Sequence, residues 1–245
     1  MQSQGLPSQL GVRPAPELAN RFLTHSFGWM FAAVLITAVV AVPILGNESF
    51  LNWAYRSWLF ITIATFALGI GVQLAIPRVT PLAGLGLFFA YAAALGVTVA
   101  VVSSLYTVES VVTSFFGASA MFGGAAIYGA TTKRNLNSIG GFLFMGMIGI
   151  LVASVVNILL GSSAIGWVIA VIGVVIFTGY TAYDVQKISY GDYAAALGSM
   201  EKASIFGAVH LYVDFINIFL FLLRIFGSRR CRSGSGLGRN AAAGG

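Results

Sequence analysis

Two aspartates occupy positions where the surrounding residues offer them no water. Asp184 sits in the run YTAYDVQKI from Tyr180 to Ile188, and Asp214 in HLYVDFINIF from His210 to Phe219. A charge at the centre of a lipid-spanning helix costs about 2.5–3.5 kcal/mol on insertion scales, so an acid there is by default a functional candidate. Two carboxyls in one dry site cannot both ionise cheaply, and such a pair holds a single proton that responds to pH. When ionised, their oxygens are hard ligands of the kind Ca²⁺ takes. The chemistry open to the pair is therefore a proton-sensitive latch, a cation site, or both. His210 stands one helical turn before Asp214 on the same face, where an imidazole can relay protons or tune the pair. Asn217, three residues after Asp214, is expected to line that surface. Arg224, near the end of the same run, has a side chain long enough to reach an interface, and Glu109 suits the start of a helix.

The elements that must position these residues follow from the composition. Of 245 residues, 58% are apolar and only 8% are charged. A soluble surface needs roughly 25% charged residues, so a soluble enzyme and a disordered chain are both excluded. A disulfide scaffold is excluded by the lone Cys231. The solvent must be a bilayer. Seven apolar stretches, each near the ~20 residues that cross ~30 Å of hydrocarbon, run from about Phe27 to Leu45, Ser57 to Ile76, Leu82 to Leu105, Ser110 to Gly129, Ile139 to Leu160, Ala164 to Tyr183 (with a helix continuing toward Tyr190) and Ser204 to Phe226. The ~10-residue alternation of a barrel strand is absent, which predicts an all-α polytopic membrane protein. The sequence divides into a polar tail over 1–26, one seven-helix domain over 27–227, and a flexible basic, glycine-rich tail over 228–245. The first apolar stretch is read as an uncleaved helix rather than a signal sequence, because a long polar leader precedes it. Pairs of small residues four apart, namely Ser119 with Gly123, Ala120 with Gly124 and Ala125 with Gly129, predict close helix packing along the fourth stretch.

Within the sixth and seventh stretches, Asp184 lies ~9 Å inside the end at Tyr190 and Asp214 ~15 Å inside the start at Ser204, at 1.5 Å per residue. If the two helices pack face to face, the carboxyls can meet. Orientation follows from the bases. With the N-terminus in the cytoplasm, that side holds Arg13, Arg21, Arg78, Lys133, Arg134, Lys187 and Lys202, while the opposite loops hold only Arg56. The tail runs against this pattern, since seven crossings put Arg229, Arg230, Arg232 and Arg239 outside. The net charge of +6 is read as this loop bias and not as a nucleic-acid surface, because no recognition motif interleaves the bases.

Three segments resemble one known family. The run from Leu211 to Gly227 resembles the last helix of the transmembrane Bax inhibitor motif (Bax inhibitor-1) family. The run from Phe177 to Ile188 is similar to that family's sixth-helix signature, and Tyr128 to Leu136 to its loop after the fourth helix. The resemblance spans about Asn20 to Gly227. It implies seven helices with the last one central, and a pH-sensitive calcium leak in which Asp184 and Asp214 share a proton and control the pore. In the bacterial calcium-leak branch an arginine near the end of the second helix latches onto the pair, and Arg78 stands at the position that matches by spacing. Two departures matter. Asn135 stands where the loop motif usually carries Asp, and His210 is not required by the family, which bears on pH tuning.

The expected function is thus a calcium leak channel or transporter, with Ca²⁺ as cargo, the pair a transient metal site, and no cofactor or catalysis. Membrane lipid, calcium and protons are the expected partners, membrane proteins are further candidates, and nucleic acid is not expected. The resemblance places the chain in a bacterial plasma membrane. A proton-coupled solute transporter would use the same carboxyl pair, although seven spans divide poorly into repeats. A stress-regulatory interaction protein is compatible with a leak. An intramembrane aspartyl protease is disfavoured, because Leu211, Tyr212 and Val213 precede Asp214 where presenilin-like enzymes need Gly-x-Gly. A light receptor would need a lysine inside the seventh helix.

Overall fold

The computed structural model describes residues 16–228, the side chains from Asn20 onward. The outermost tail residues, including Arg13, Cys231 and the arginines from Arg229 to Arg239, lie outside the described residues. Within the described residues nine helices follow in order: α1 (Pro16–Leu45), α2 (Glu48–Arg56), α3 (Trp58–Ala75), α4 (Pro81–Ser103), α5 (Val108–Thr131), α6 (Asn137–Leu160), α7 (Ser163–Tyr190), α8 (Asp192–Leu197) and α9 (Met200–Phe226). Seven of them are long and apolar enough to cross a membrane, and α2 and α8 are short connectors. The described chain contains no strand.

Local chemistry sets the boundaries. Thr80, Thr107, Ser162 and Ser199 each accept a hydrogen bond from a backbone N–H in the first turn of α4, α5, α7 and α9, which satisfies a donor the helix leaves orphaned. Asn47 does the same for α2. Gly161, Gly191 and Gly198 close α6, α7 and α8 in the left-handed conformation, at φ of 65°, 74° and 63°. Two helices start earlier than hydropathy alone predicts. α1 runs back into the polar segment as far as Pro16, and α9 begins at Met200, four residues before Ser204. Glu201 and Lys202 are helical without being apolar, so a hydropathy window passes over them.

The last helix is the axis. The most apolar stretch of α9 is 67% buried, against 11% for α6 and 17% for α3. α1, α4, α5 and α7 pack directly around α9, while α3 lies outside against α4 and α6 outside against α7. Tyr212 is fully buried, and its hydroxyl pairs with Thr37 of α1 at 2.6 Å. The outer surface carries Leu159, Leu82, Phe60 and Met145 almost bare, a belt that only lipid can cover.

Of the small-residue pairs on α5, only the last makes the close approach. A Cβ at Gly129 would fall inside the carbonyl of Ala182 on α7, whereas Gly123 and Gly124 have open space beside them. The contact at Gly129 brings the α5 backbone against α7 two residues before Asp184.

Candidate functional site

The α7–α9 hairpin has one antiparallel register along its length. Gly207 lies against Ile188, His210 against Asp184, Asp214 beside Thr181, and the Phe221 ring over Gly173. Thr181 and Asp184 are three residues apart on α7, so the two acids sit one turn out of level, about 4.5 Å along the axis. This agrees with the ~6 Å difference in depth counted from the sequence at 1.5 Å per residue, although α9 begins a turn sooner. The reference level comes from side-chain packing across the hairpin and not from the helix ends, because α8 occupies the space between them.

Both acids are withdrawn from solvent, Asp184 at 2% exposure and Asp214 at 4%. Asp184 is the better satisfied. Its Oδ1 accepts a hydrogen bond from the Tyr193 hydroxyl of α8 at 2.8 Å. Its Oδ2 stands 3.4 Å from His210 Nδ1, within ion-pair range but without hydrogen-bond geometry. Asp214 has Thr181 beside it, whose hydroxyl donates to the Phe177 carbonyl at 2.9 Å. Oδ2 of each acid is buried without a hydrogen-bond partner, and the two carboxyls are near enough to act on each other electrostatically.

α8 covers the site on one side. Tyr193 stacks on the His210 ring at 5.5 Å, and Phe206 flanks the same ring at 4.7 Å. Burial first, then the Asp184 charge and the hydrogen bond to it, push the Tyr193 phenol well above its usual pKa, so it remains a donor across the physiological range. Lys187 lies over the Tyr183 ring, 4.6 Å from its centroid. The His210 side chain is 28% exposed through its ring carbons, while its Nε2 is buried without a hydrogen-bond partner.

The structure therefore brings Asp184, Asp214 and His210 together. It does not bring Arg78 to them. Arg78 is exposed in the α3–α4 turn, and its guanidinium donates to the Leu74 carbonyl of its own helix. The physical reason is local, since a carbonyl one turn back is within reach while α3 lies on the far side of α4 from α9. Asn217 likewise turns back on its own helix, donating to Val213 O at 2.8 Å. Arg224 is exposed and lies against Gly166 at the start of α7, as its reach to an interface predicts. Glu109 stands in the first turn of α5.

Three contributors escaped the reading of the sequence: Tyr193, Thr181 and Gln186. Gln186 Oε1 accepts from Leu136 N and its Nε2 donates to Arg134 O, both at 2.8 Å. That clamp holds the α5–α6 turn against α7 two residues beyond Asp184. A polar residue in an apolar helix, on the stretch that carries the acid, was the available signal for Gln186 and Thr181. Tyr193 lies in a short polar connection and gave none.

Comparison with known proteins assigns the chain to a family. The family described as "Inhibitor of apoptosis-promoting Bax1" matches residues 19–231. The chain belongs to the Bax inhibitor-1 family. It is 39% identical over 225 residues to the inner membrane protein YbhL of Escherichia coli K12, covering 89% of this chain and 96% of that protein. It is 36% identical over 215 residues to an uncharacterised protein of Rickettsia prowazekii, covering 86% of this chain and 91% of the relative. A Caulobacter vibrioides protein is 39% identical over 213 residues, with 84% and 85% covered. Family membership and the seven spans make this an integral membrane protein.

Proposed function

We propose that this Bax inhibitor-1 family protein is a pH-sensitive leak pathway for Ca²⁺, gated by the proton that Asp184 and Asp214 share. One observation carries the reading. Two buried carboxyls stand one turn apart on facing helices, each with an oxygen that has no protein partner. In the proton-bearing state Asp184 accepts from Tyr193, and the pair carries one charge. Loss of the shared proton leaves two like charges side by side, which repel each other and attract a divalent cation. Among the described residues no group of three His, Cys, Asp or Glu side chains converges to hold a metal. Such a site suits passage better than retention, since conduction needs binding weak enough for the ion to leave.

His210 and Tyr193 are the positioning groups in this mechanism. His210 sets its Nδ1 beside one oxygen of Asp184, and Tyr193 holds the other still. Arg78 takes no part in the arrangement described, and a latch built on it would require α3 to rearrange. The protein is read as lying in a bacterial plasma membrane with its N-terminus in the cytoplasm, so that Asp184 sits near the cytoplasmic end of α7. Lipid, calcium and protons are its partners in this reading, with no cofactor.

The test is Ca²⁺ flux into liposomes over a pH series. Asp184→Asn and Asp214→Asn are each expected to flatten the pH profile, because neither variant retains a pair that can share a proton. A profile that keeps its shape and midpoint in both variants overturns the mechanism.

A further inference from the structure

Away from the carboxyl pair, a cleft of about 530 Å³ opens between the starts of α1, α4 and α9. These are the first, third and seventh spans, so alternate crossing puts all three starts at one face of the membrane. The α1 and α9 walls grade from charge at the mouth to hydrocarbon with depth, and the α4 wall is apolar throughout. Along α1 the lining residues Arg21, His25 and Trp29 are spaced four apart, one stripe over about 12 Å. Glu201 heads the α9 wall, and Leu82 and Leu85 supply the α4 wall. Lys202 donates to the Pro77 carbonyl at 3.2 Å and ties the α9 wall to the turn before α4.

The polar groups at the mouth are arranged for a zwitterion. Arg21 and Glu201 both line the cleft, and among the described residues neither is paired with the other or with any other charge. His25 Nδ1 donates to the Arg21 carbonyl at 2.7 Å, which makes Nε2 the acceptor whenever the ring is uncharged. The mouth thus offers one cation for a phosphate, together with a carboxylate and a lone pair for a primary ammonium. Trp29 of α1 and Leu85 of α4, farther from the mouth, offer an apolar wall at the depth of the upper acyl chains.

We propose that this cleft binds the headgroup of an aminophospholipid, with the phosphate on Arg21 and the ammonium on Glu201 and His25. A quaternary choline has no N–H to give to Glu201, and a glycerol headgroup leaves the carboxylate facing a net anion. Phosphatidylethanolamine is therefore the expected occupant. Nothing in this inference depends on the carboxyl pair.

The experiment is native mass spectrometry of the whole protein, titrated with phosphatidylethanolamine, phosphatidylcholine and phosphatidylglycerol of the same acyl chains. The first phosphatidylethanolamine adduct is expected to be retained at least threefold more than the other two. Arg21→Gln should lower retention of all three lipids, and Glu201→Gln should abolish the preference for ethanolamine over choline. Both residues are exposed, so an unchanged thermal melt will show that the fold is intact. Equal retention of the three headgroups overturns the proposal, as does a preference that survives Glu201→Gln, or phosphatidylglycerol bound best.

Discussion

At the scale of single residues, the site depends on an unequal division of partners between two like groups. Asp184 has a phenol on one oxygen and an imidazole near the other, while Asp214 has a threonine already committed elsewhere. Tyr193→Phe removes the donor to Asp184 Oδ1 and leaves a buried acceptor unsatisfied, which costs about 1–3 kcal/mol. The expected result is a lower melting temperature in detergent, together with a displaced midpoint in the pH profile of Ca²⁺ flux. A purely structural role for the phenol would lower the melt and leave the midpoint in place.

At the scale of elements, the α5–α7 contact decides how firmly Asp184 is held. Gly129→Ala drives a methyl into the Ala182 carbonyl, a backbone atom that cannot step aside, so α5 must lift from α7. Overpacking of this kind costs about 1–3 kcal/mol. Gly123→Ala, one helical face away in open space, is the matched control and is expected to leave the melting temperature unchanged. The two glycines read alike in the sequence because the spacing of small residues marks a capacity for close approach. Which pair uses it depends on helix rotation, which spacing does not record. The same limit holds across the site. Seven spans, the Asp184–Asp214 pairing and the His210 contact were legible because an acid inside an apolar run needs a polar partner on a facing helix. Tyr193 and the clamp at Gln186 were not, since both join segments through a connector whose path is set by tertiary packing. Arg78 was placed by resemblance alone, and its own helix offered a nearer acceptor.

At the scale of the whole molecule, the basic residues and the seven crossings together make a testable map. Labelling of a single cysteine, after Cys231→Ser, should reach position 135 only from the cytoplasm and position 162 only from the opposite side. The reverse pattern would invert the orientation and place Asp184 near the outer face. The burial of α9 has a further consequence, and it concerns how the protein is made. A ribosome delivers α9 last, yet α9 is the helix that the others surround. The spans made first therefore precede the helix that covers Thr37 and the Oδ2 side of Asp184, whose Oδ1 already has a donor in Tyr193 of α8. Asp214 then enters a protein environment already assembled to receive it, and the acid least suited to the membrane is not inserted alone.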